Sequence, residues 1–390
     1  MNKKLMAVAV AGALAAPGVA LAQASSVTIS GYFKVGLENF SVSNPSPLRL
    51  NSSQMRVVDN SSRILFNMVE GLGNGMDGIA QLDIRFDPGQ AVPVAAGFNP
   101  IGSGNTFLGL RSKSWGQATI GRHDLHWGKA PDEIWWKAGA TAAAALSLFD
   151  FIGPTAVGAF RSNNSIKYEM PAFGGFNGVI GWTANPVVNT EGDMSLTNGV
   201  GVTTRKGDGW NINPSYTNGP LQVGYSYWSA RPDAPVAATN DQRADSLYGH
   251  YVFGGLKIGL GWNRARLNGS TTGAKVAERT AWSLPVRYNW GPHTVVGHYT
   301  RAGDISSDVV GAVTSNTGAN MVALAYVYDL SKRTSLALTY AKINNDSAGA
   351  YNFFANAAWG SPDGGIVVGV PGVSSSESPR MLQATIKHAF

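Results

Sequence analysis

Residues 256–263 read Leu256-Lys257-Ile258-Gly259-Leu260-Gly261-Trp262-Asn263, with an apolar side chain at every second position. Because successive side chains of a β-strand point to opposite faces, this period of two predicts a strand with one apolar face and one small or polar face. The same alternation recurs along the chain in about sixteen segments, which predicts an all-β protein. The clearest further examples are residues 27–37, 80–86, 221–227, 282–288, 322–328, 336–340 and 382–390.

The composition restricts the class of protein. Of 390 residues, 14% are charged and 48 are glycine, whereas soluble domains have about 25% charged residues and about 7% glycine. A hydrophobic fraction of 44% argues against disorder, and the mature chain has no run of about 20 apolar residues that would form a membrane-spanning helix. The lack of cysteine excludes thiolate zinc sites, Fe–S clusters and disulfide frameworks. What remains is a large protein whose apolar residues alternate with small and polar ones.

The connections between the predicted strands alternate between short and long. Short turns are predicted at 71–75, 113–116, 171–175, 217–220, 254–255, 291–292 and 329–333, and long connections at 39–61, 87–104, 123–164, 184–208, 229–245, 264–280, 302–318 and 344–379. Short periplasmic turns and long external loops are typical of transmembrane β-barrels, as are aromatic residues at strand ends. A spanning sheet must also close on itself, because no backbone polar group is left unpaired in lipid. The pattern therefore predicts a transmembrane antiparallel β-barrel, with a bulge or local break at Pro214 and Pro285.

The N-terminus predicts export. Lys3 and Lys4 precede an apolar stretch, and the small residues around Ala22 and Ala24 fit a cleavage site after residue 22 or 24. Residues 1–24 are thus predicted to be a signal peptide and residues 25–390 a single barrel domain; the alternative is an uncleaved membrane anchor. Loss of the two lysines leaves 28 basic against 24 acidic residues, a formal charge of +4.

Seven segments occur in a characteristic order and spacing: residues 26–31 (Ser-Val-Thr-Ile-Ser-Gly), 62–66 (Ser-Arg-Ile-Leu-Phe), 70–75 (Glu-Gly-Leu-Gly-Asn-Gly), 116–122 (Gly-Gln-Ala-Thr-Ile-Gly-Arg), 164–176 (Asn-Ser-Ile-Lys-Tyr-Glu-Met-Pro-Ala-Phe-Gly-Gly-Phe), 328–334 (Tyr-Asp-Leu-Ser-Lys-Arg-Thr) and 386–390 (Ile-Lys-His-Ala-Phe). Together they resemble the general porins of Gram-negative outer membranes, the betaproteobacterial type in particular. The resemblance spans nearly the whole mature chain. It implies a sixteen-stranded barrel, a homotrimer, and passive flow of small hydrophilic solutes. It also implies that Phe390 belongs to a terminal strand signal read by the outer-membrane assembly machinery, although a plain girdle aromatic would fit that position as well.

The resemblance further implies that the third external loop, residues 123–164, folds into the barrel and narrows it. An apolar loop of this length needs a surface to pack against. Its apolar residues include Trp135, Trp136, Phe149 and Phe151, and its acids are Asp124, Asp132, Glu133 and Asp150. The alternatives are an external cap or a short Ala-rich helix at a trimer contact.

Alternation also predicts which charged side chains face the lumen. The predicted inward bases are Lys34, Arg63, Arg85, Lys167, Lys257, Arg287 and Lys387, and the predicted inward acids are Glu38, Asp83 and Glu169. Rings of Arg and Lys in a narrow passage favour anions.

The resemblance assigns Arg63 and Arg161 to the constriction. A third basic position of some relatives reads Gly104-Asn105-Thr106 in this chain, which weakens the expected anion preference. Arg85 is a further candidate, and parity leaves Arg122 unplaced because it ends its strand. The alternative for these residues is a structural ion pair: Arg161 with Asp150, Arg85 with the acids near Asp83, and Lys167 with those near Glu169.

No constellation of residues predicts an enzyme, a cofactor or a metal site. The six histidines lack a carboxylate cluster at zinc-site spacing, and neither a nucleophile elbow nor a phosphate loop occurs. The basic residues are spread along the chain, which argues against nucleic acid.

The hypothesis is therefore an outer-membrane porin for small hydrophilic solutes, weakly favouring anions. Its expected partners are outer-membrane lipid and lipopolysaccharide, further copies of itself, the assembly machinery, and small ions and solutes. One alternative is a channel that prefers aromatic carboxylates along Trp135 and Trp136, and another is a structural or adhesive barrel.

Overall fold

A computed structural model describes residues 25–47, 51–89, 101–126, 134–158, 161–185, 207–231, 240–270, 272–354 and 375–390. The predicted signal peptide and the loop acids Asp132 and Glu133 lie outside the described residues.

The described chain is almost entirely β-structure. Three short helical turns, Ile134–Ala138, Thr141–Ala143 and Ala145–Ser147, lie in the third long loop. The strands are β1 (Ser25–Ser43), β2 (Ser53–Asp59), β3 (Arg63–Gly73), β4 (Met76–Arg85), β5 (Thr106–Ser112), β6 (Gly116–His123), β7 (Phe151–Ile152), β8 (Thr155–Ala156), β9 (Ser162–Glu169), β10 (Phe176–Asn185), β11 (Asp208–Asn218), β12 (Leu221–Arg231), β13 (Asn240–Phe253), β14 (Leu256–Gly269), β15 (Lys275–Trp290), β16 (His293–Ala302), β17 (Ala319–Asp329), β18 (Thr334–Asn345) and β19 (Ser378–Ala389).

The sheet closes into a barrel. β1 pairs with β19 through Tyr32↔Ala389 and with β3 through Ser25↔Glu70, so the first strand joins the last. Each following strand pairs antiparallel with its neighbour, and β9 pairs with β6 because the β7–β8 hairpin belongs to the loop. β2 and β3 both pair with β1 and form one interrupted wall strand, which makes sixteen wall strands among the described residues. The predicted sixteen-stranded antiparallel barrel is confirmed.

The two sides of the wall differ as the alternation predicts. Outward side chains such as Leu260 and Leu324 are exposed, whereas their neighbours Gly259 and Ala323 point inward and are buried. A continuous apolar outer surface is what lipid contact requires. No helix among the described residues is both long enough and apolar enough to cross a membrane.

The two prolines break the ladder without shifting its register. Pro285 pairs with His298 of β16, but pairing with β14 is missing between Val286 and Ser283. On β11, pairing with β12 is likewise missing at Pro214, and the register is the same on both sides of the gap. The predicted local breaks are therefore confirmed and the bulges are not, because proline removes one donor without requiring an extra residue.

Two connections predicted to be long are shorter in the structure. β14 continues to Gly269 and β15 begins at Lys275, so the predicted connection 264–280 is a tight turn. The predicted connection 39–61 similarly contains the end of β1 and all of β2. These strand ends extend beyond the apolar band, where polar residues such as Arg264 and Arg266 face outward and hide the alternation.

Candidate pore constriction

The described part of the third long connection, residues 123–164, lies inside the barrel. Its Ala143 carbonyl accepts a hydrogen bond from His298 Nε2 at 2.9 Å, and His298 is a lumen-facing residue of β16. Its Phe151 carbonyl accepts one from Arg279 Nε at 2.7 Å, which projects inward from β15. The described part of the loop is thus fastened to the inner wall, which rules out an external cap for that part.

One half of the lumen is an apolar core. The loop contributes Ile134, Ala138, Ala140, Ala142, Ala143, Leu148 and Phe149, which pack against inward-facing Val296, Ala302, Ala319, Met321, Ala323, Ala325, Val327, Ala341, Ile343 and Met381. Small alanines on both surfaces let the loop backbone lie close to the wall. The expectation of a small or polar face therefore fails on β17, whose inner face is apolar because it packs against the loop instead of water. The inner faces of β16 and β19 keep polar residues such as His298 and Gln383.

Asp150 helps to hold the loop against the inner wall of the barrel. It is fully buried, accepts a hydrogen bond from Asn263 Nδ2 at 2.7 Å, and lies 3.3 Å from His126 Nε2. Its φ of 51° places it in the left-handed region, which aspartate tolerates better than most residues. The sequence grouped Asp150 with the constriction acids and offered it as a partner of Arg161, but the structure places it against the wall, paired with Asn263 and His126.

The opposite half of the lumen carries charge. Arg63 on β3 and Arg85 on β4 are register partners, and both contact the buried carboxylate of Asp83. The Arg63 Nη1–Asp83 Oδ2 distance is 3.5 Å, and the Arg85 Nε–Asp83 Oδ1 distance is 2.7 Å. Both guanidinium groups also donate to the hydroxyl of Ser61. The structural pairing of Arg85 with Asp83 is thus present, and it holds Arg85 beside Arg63.

The two ends of the loop meet in the same half. Arg161 Nε lies 3.1 Å from Asp124 Oδ1, and Asn105 Nδ2 donates to Asp124 Oδ2 at 2.9 Å. Burial lowers the pKa of Arg161 from its ordinary value, against the opposing effect of Asp124, but arginine remains charged near neutral pH. Asn105, at the position where the chain departs from the basic pattern of its resemblance, orients an acid instead.

Arg122 joins this half as well. Its Nε donates to the Ser103 carbonyl at 3.2 Å, and its Nη1 donates to the side-chain oxygen of Asn163. A register shift between Gly121 and His123 explains why parity did not place it.

Tyr32, which no sequence motif marks, lies close to three cationic side chains. Arg63 lies 4.9 Å from its ring centroid, Lys34 Nζ 5.1 Å and Lys387 Nζ 5.7 Å. Cations near an aromatic face are attracted by the ring quadrupole. The available signal was its parity, because Tyr32 shares the lumen face of β1 with Lys34.

We call Lys34, Arg63, Asp83, Arg85, Arg122, Asp124 and Arg161 the polar cluster. It contains five cationic side chains and two carboxylates. Each carboxylate of the cluster is paired with arginine, so the cluster itself carries an excess of positive charge. No group of three or more His, Asp or Glu side chains able to hold a metal occurs among the residues placed by the structure.

The loop aromatics separate into buried and exposed residues. Phe149 is fully buried, Trp135 is 9% exposed, and Phe151 is partly buried. Trp136 is 61% exposed. The sequence suggested that Trp135 and Trp136 both contact aromatic solutes. Only Trp136 of the two is exposed, because Trp135 packs against Phe354 at a ring distance of 5.7 Å.

Phe390 lies at the seam of the barrel. Its backbone N–H donates to the Gly31 carbonyl at 3.1 Å, and its ring lies 6.3 Å from that of outward-facing Phe33.

Comparison with known proteins gives a consistent result. A family model described as Gram-negative porin matches residues 7–348. An outer membrane porin protein of Bordetella pertussis is 27% identical, covering 86% of this chain and 92% of that protein. Outer membrane porin protein 32 of Delftia acidovorans is 27% identical over the full length of both chains.

Solved structures have the same fold. The anion-selective porin from Comamonas acidovorans superimposes with a TM-score of 0.71 at 22% identity, covering 94% of this chain and all of that one. The trimer form of OmpT, an outer membrane protein of Vibrio cholerae, gives a TM-score of 0.62 at 14% identity, again covering 94% and 100% of the two chains.

Proposed function

Because this chain belongs to the Gram-negative porin family, its barrel is an outer-membrane channel, and we propose that it passes small hydrophilic solutes by diffusion with a weak preference for anions. The observation that carries the anion preference is the polar cluster, with five cations against two carboxylates on the half of the lumen that the loop leaves polar. A field of one sign in a narrow passage raises the local concentration of the opposite ion.

The division of the lumen supports this proposal. The apolar half is filled by the loop packed against β16–β19, so a hydrated solute moves along the half that carries the polar cluster. Its anion then meets guanidinium groups held by hydrogen bonds to Ser61, Ser103 and Asn163. Because these donors are already oriented, little reorganisation accompanies the passage of an ion.

The preference is expected to be weak for two reasons. Asp83 and Asp124 neutralise part of the positive charge, and Asn105 stands where the resemblance led us to look for a third base. The Comamonas relative is named as anion-selective, which agrees in direction.

We also propose that the chain assembles as a homotrimer, as the Vibrio relative does in its trimer form. The remaining partners are proposals on the same footing: outer-membrane lipid and lipopolysaccharide around the apolar outer face, and the assembly machinery at the terminal strand. Phe390 is suited to that role because it ends the strand that closes the barrel.

Conductance in planar bilayers tests the channel proposal. In a KCl gradient, the purified protein should show stepwise increases in conductance. Its reversal potential should be shifted toward the equilibrium potential of chloride. A barrel that inserts but does not conduct, or a reversal potential on the potassium side, would overturn the proposal.

A further inference from the structure

The helical turn Ile134–Ala138 brings the loop to the end of the barrel that has the short turns. Lys137 Nζ lies 2.8 Å from Asp329 Oδ2, on the last residue of β17. Lys387, a lumen-facing residue near the end of β19, has its Nζ 3.4 Å from the Trp136 carbonyl oxygen. Short turns face the periplasm in outer-membrane barrels, so Trp136 lies in the periplasmic half of the lumen.

Trp136 differs from the neighbouring aromatic residues in its exposure. It is 61% exposed, whereas Phe354 is 6% and Phe149 is 0% exposed. Its ring stacks on Trp135 at 5.9 Å with an interplanar angle of 28°. Trp135 in turn packs against Phe354. The exposed indole is thus backed by a column of buried rings, and aromatic side chains lose little conformational freedom when they receive a ligand.

Among the described residues, the structure places two lysines, Lys137 and Lys387, close to Trp136. Lys387 connects it to the polar cluster, since Lys387 Nζ also lies 5.7 Å from the Tyr32 ring that Arg63 approaches. Asp329, the acid that contacts this turn within the described part of the chain, is paired with Lys137. A supported aromatic face close to a lumen-facing lysine is complementary to a flat ring bearing a carboxylate.

We propose that Trp136 and Lys387 form a periplasmic-side binding subsite for aromatic carboxylates of the size of benzoate. The ring of the solute stacks on Trp136, and its carboxylate meets Lys387 and the edge of the polar cluster. This inference deepens the proposed anion-favouring channel and rests on it.

The test uses two acids of equal charge, benzoate and cyclohexanecarboxylate, which differ in aromaticity. Each is added to wild-type channels in planar bilayers, and its binding constant is obtained from the block and fluctuation of the chloride current. Aromatic contacts add about 0.5–1.5 kcal/mol beyond burial, which corresponds to roughly twofold to tenfold in affinity. Benzoate should therefore bind several times more tightly than the saturated acid.

Variants then locate the effect. Trp136→Ala should remove the preference for benzoate, and Trp136→Phe should retain it. Trp136→Leu keeps an apolar side chain without aromaticity and should also lose the preference for benzoate. If either the alanine or the leucine variant folds poorly, the other still tests the role of the aromatic ring. Trp282→Ala is the matched control, because Trp282 is 43% exposed but faces outward, and it should leave the preference unchanged.

Equal affinity for the two acids in wild type, or a benzoate preference that survives in Trp136→Ala, would overturn the subsite. If the KCl reversal potential in the same bilayers lies on the chloride side, the channel proposal stands despite that failure. If it lies on the potassium side, the proposed function fails and the subsite fails with it.

Discussion

The two halves of the lumen have opposite character. On β17 and on parts of β16, β18 and β19 the inner wall is apolar and packs against loop residues such as Phe149 and Leu148. On β1, β3, β4 and β6 the inner wall carries the polar cluster, and the loop contributes Asp124 and Arg161 from its two ends. The difference shows that one loop has two roles. Its middle is buried against the wall and holds the loop in place, and its ends supply charged side chains to the passage. Mutations in the two halves should therefore affect different properties.

The largest effect is expected in the charged half. Arg63→Glu combined with Arg161→Glu changes the charge of the polar cluster by four units, so the passage should attract cations instead of anions. We expect the ratio of anion to cation permeability to fall by roughly tenfold or more and the reversal potential in a KCl gradient to change sign. Arg231→Glu with Arg243→Glu is the control, because both residues face outward and are exposed. An unchanged potential in the first double variant would show that these residues do not line the passage.

The middle of the loop should control the size of the passage. Deleting residues 142–146 removes part of the segment packed on β16–β19, and the single-channel conductance should rise because the loop then fills less of the lumen. The sign of the reversal potential should stay the same, since the polar cluster is intact. Unaltered conductance would mean that this segment does not obstruct the channel.

A single substitution in the apolar half should affect stability more than selectivity. Phe149→Ala leaves a cavity in the core between loop and wall and should lower the free energy of unfolding by about 3–5 kcal/mol, measured by denaturant unfolding in vesicles. Phe173→Ala is the matched control, because Phe173 is largely exposed and its removal should change stability little. A loss in Phe149→Ala no greater than in the control would contradict the buried packing.

The smallest effect is expected at the Tyr32 ring. Tyr32→Leu removes the aromatic face near Arg63 and Lys34 and should lower the free energy of unfolding by about 1 kcal/mol. Tyr32→Phe keeps the face and should be nearly neutral, because the buried Tyr32 hydroxyl has no hydrogen-bond partner among the described residues. Equal losses in the two variants would mean that the hydroxyl, and not the ring face, stabilises this site.

The alternation of apolar and polar residues predicted most of the wall strands and part of the candidate site. Position along the strand predicted that Lys34, Arg63 and Asp83 face inward, and they do, because the side chains of a strand can lie on only two faces. It made no prediction for Arg122, which ends its strand next to a register shift. It also overlooked that β17 is apolar on both faces, with Met321 and Val327 inward, which was the available signal that something packs inside the barrel.

The sequence by itself determined the closed sheet, its lipid-facing side and the set of charges available to the lumen, since these depend on local periodicity and on the need to pair every backbone group in a membrane. Only the tertiary structure decided the pairing of those charges: Arg161 with Asp124 and not Asp150, and Asp150 with Asn263 across 113 residues. It also decided that Trp135 is covered and Trp136 exposed. These contacts join residues distant in sequence through a loop folded inside the barrel, and no local pattern specifies which partners such a loop meets.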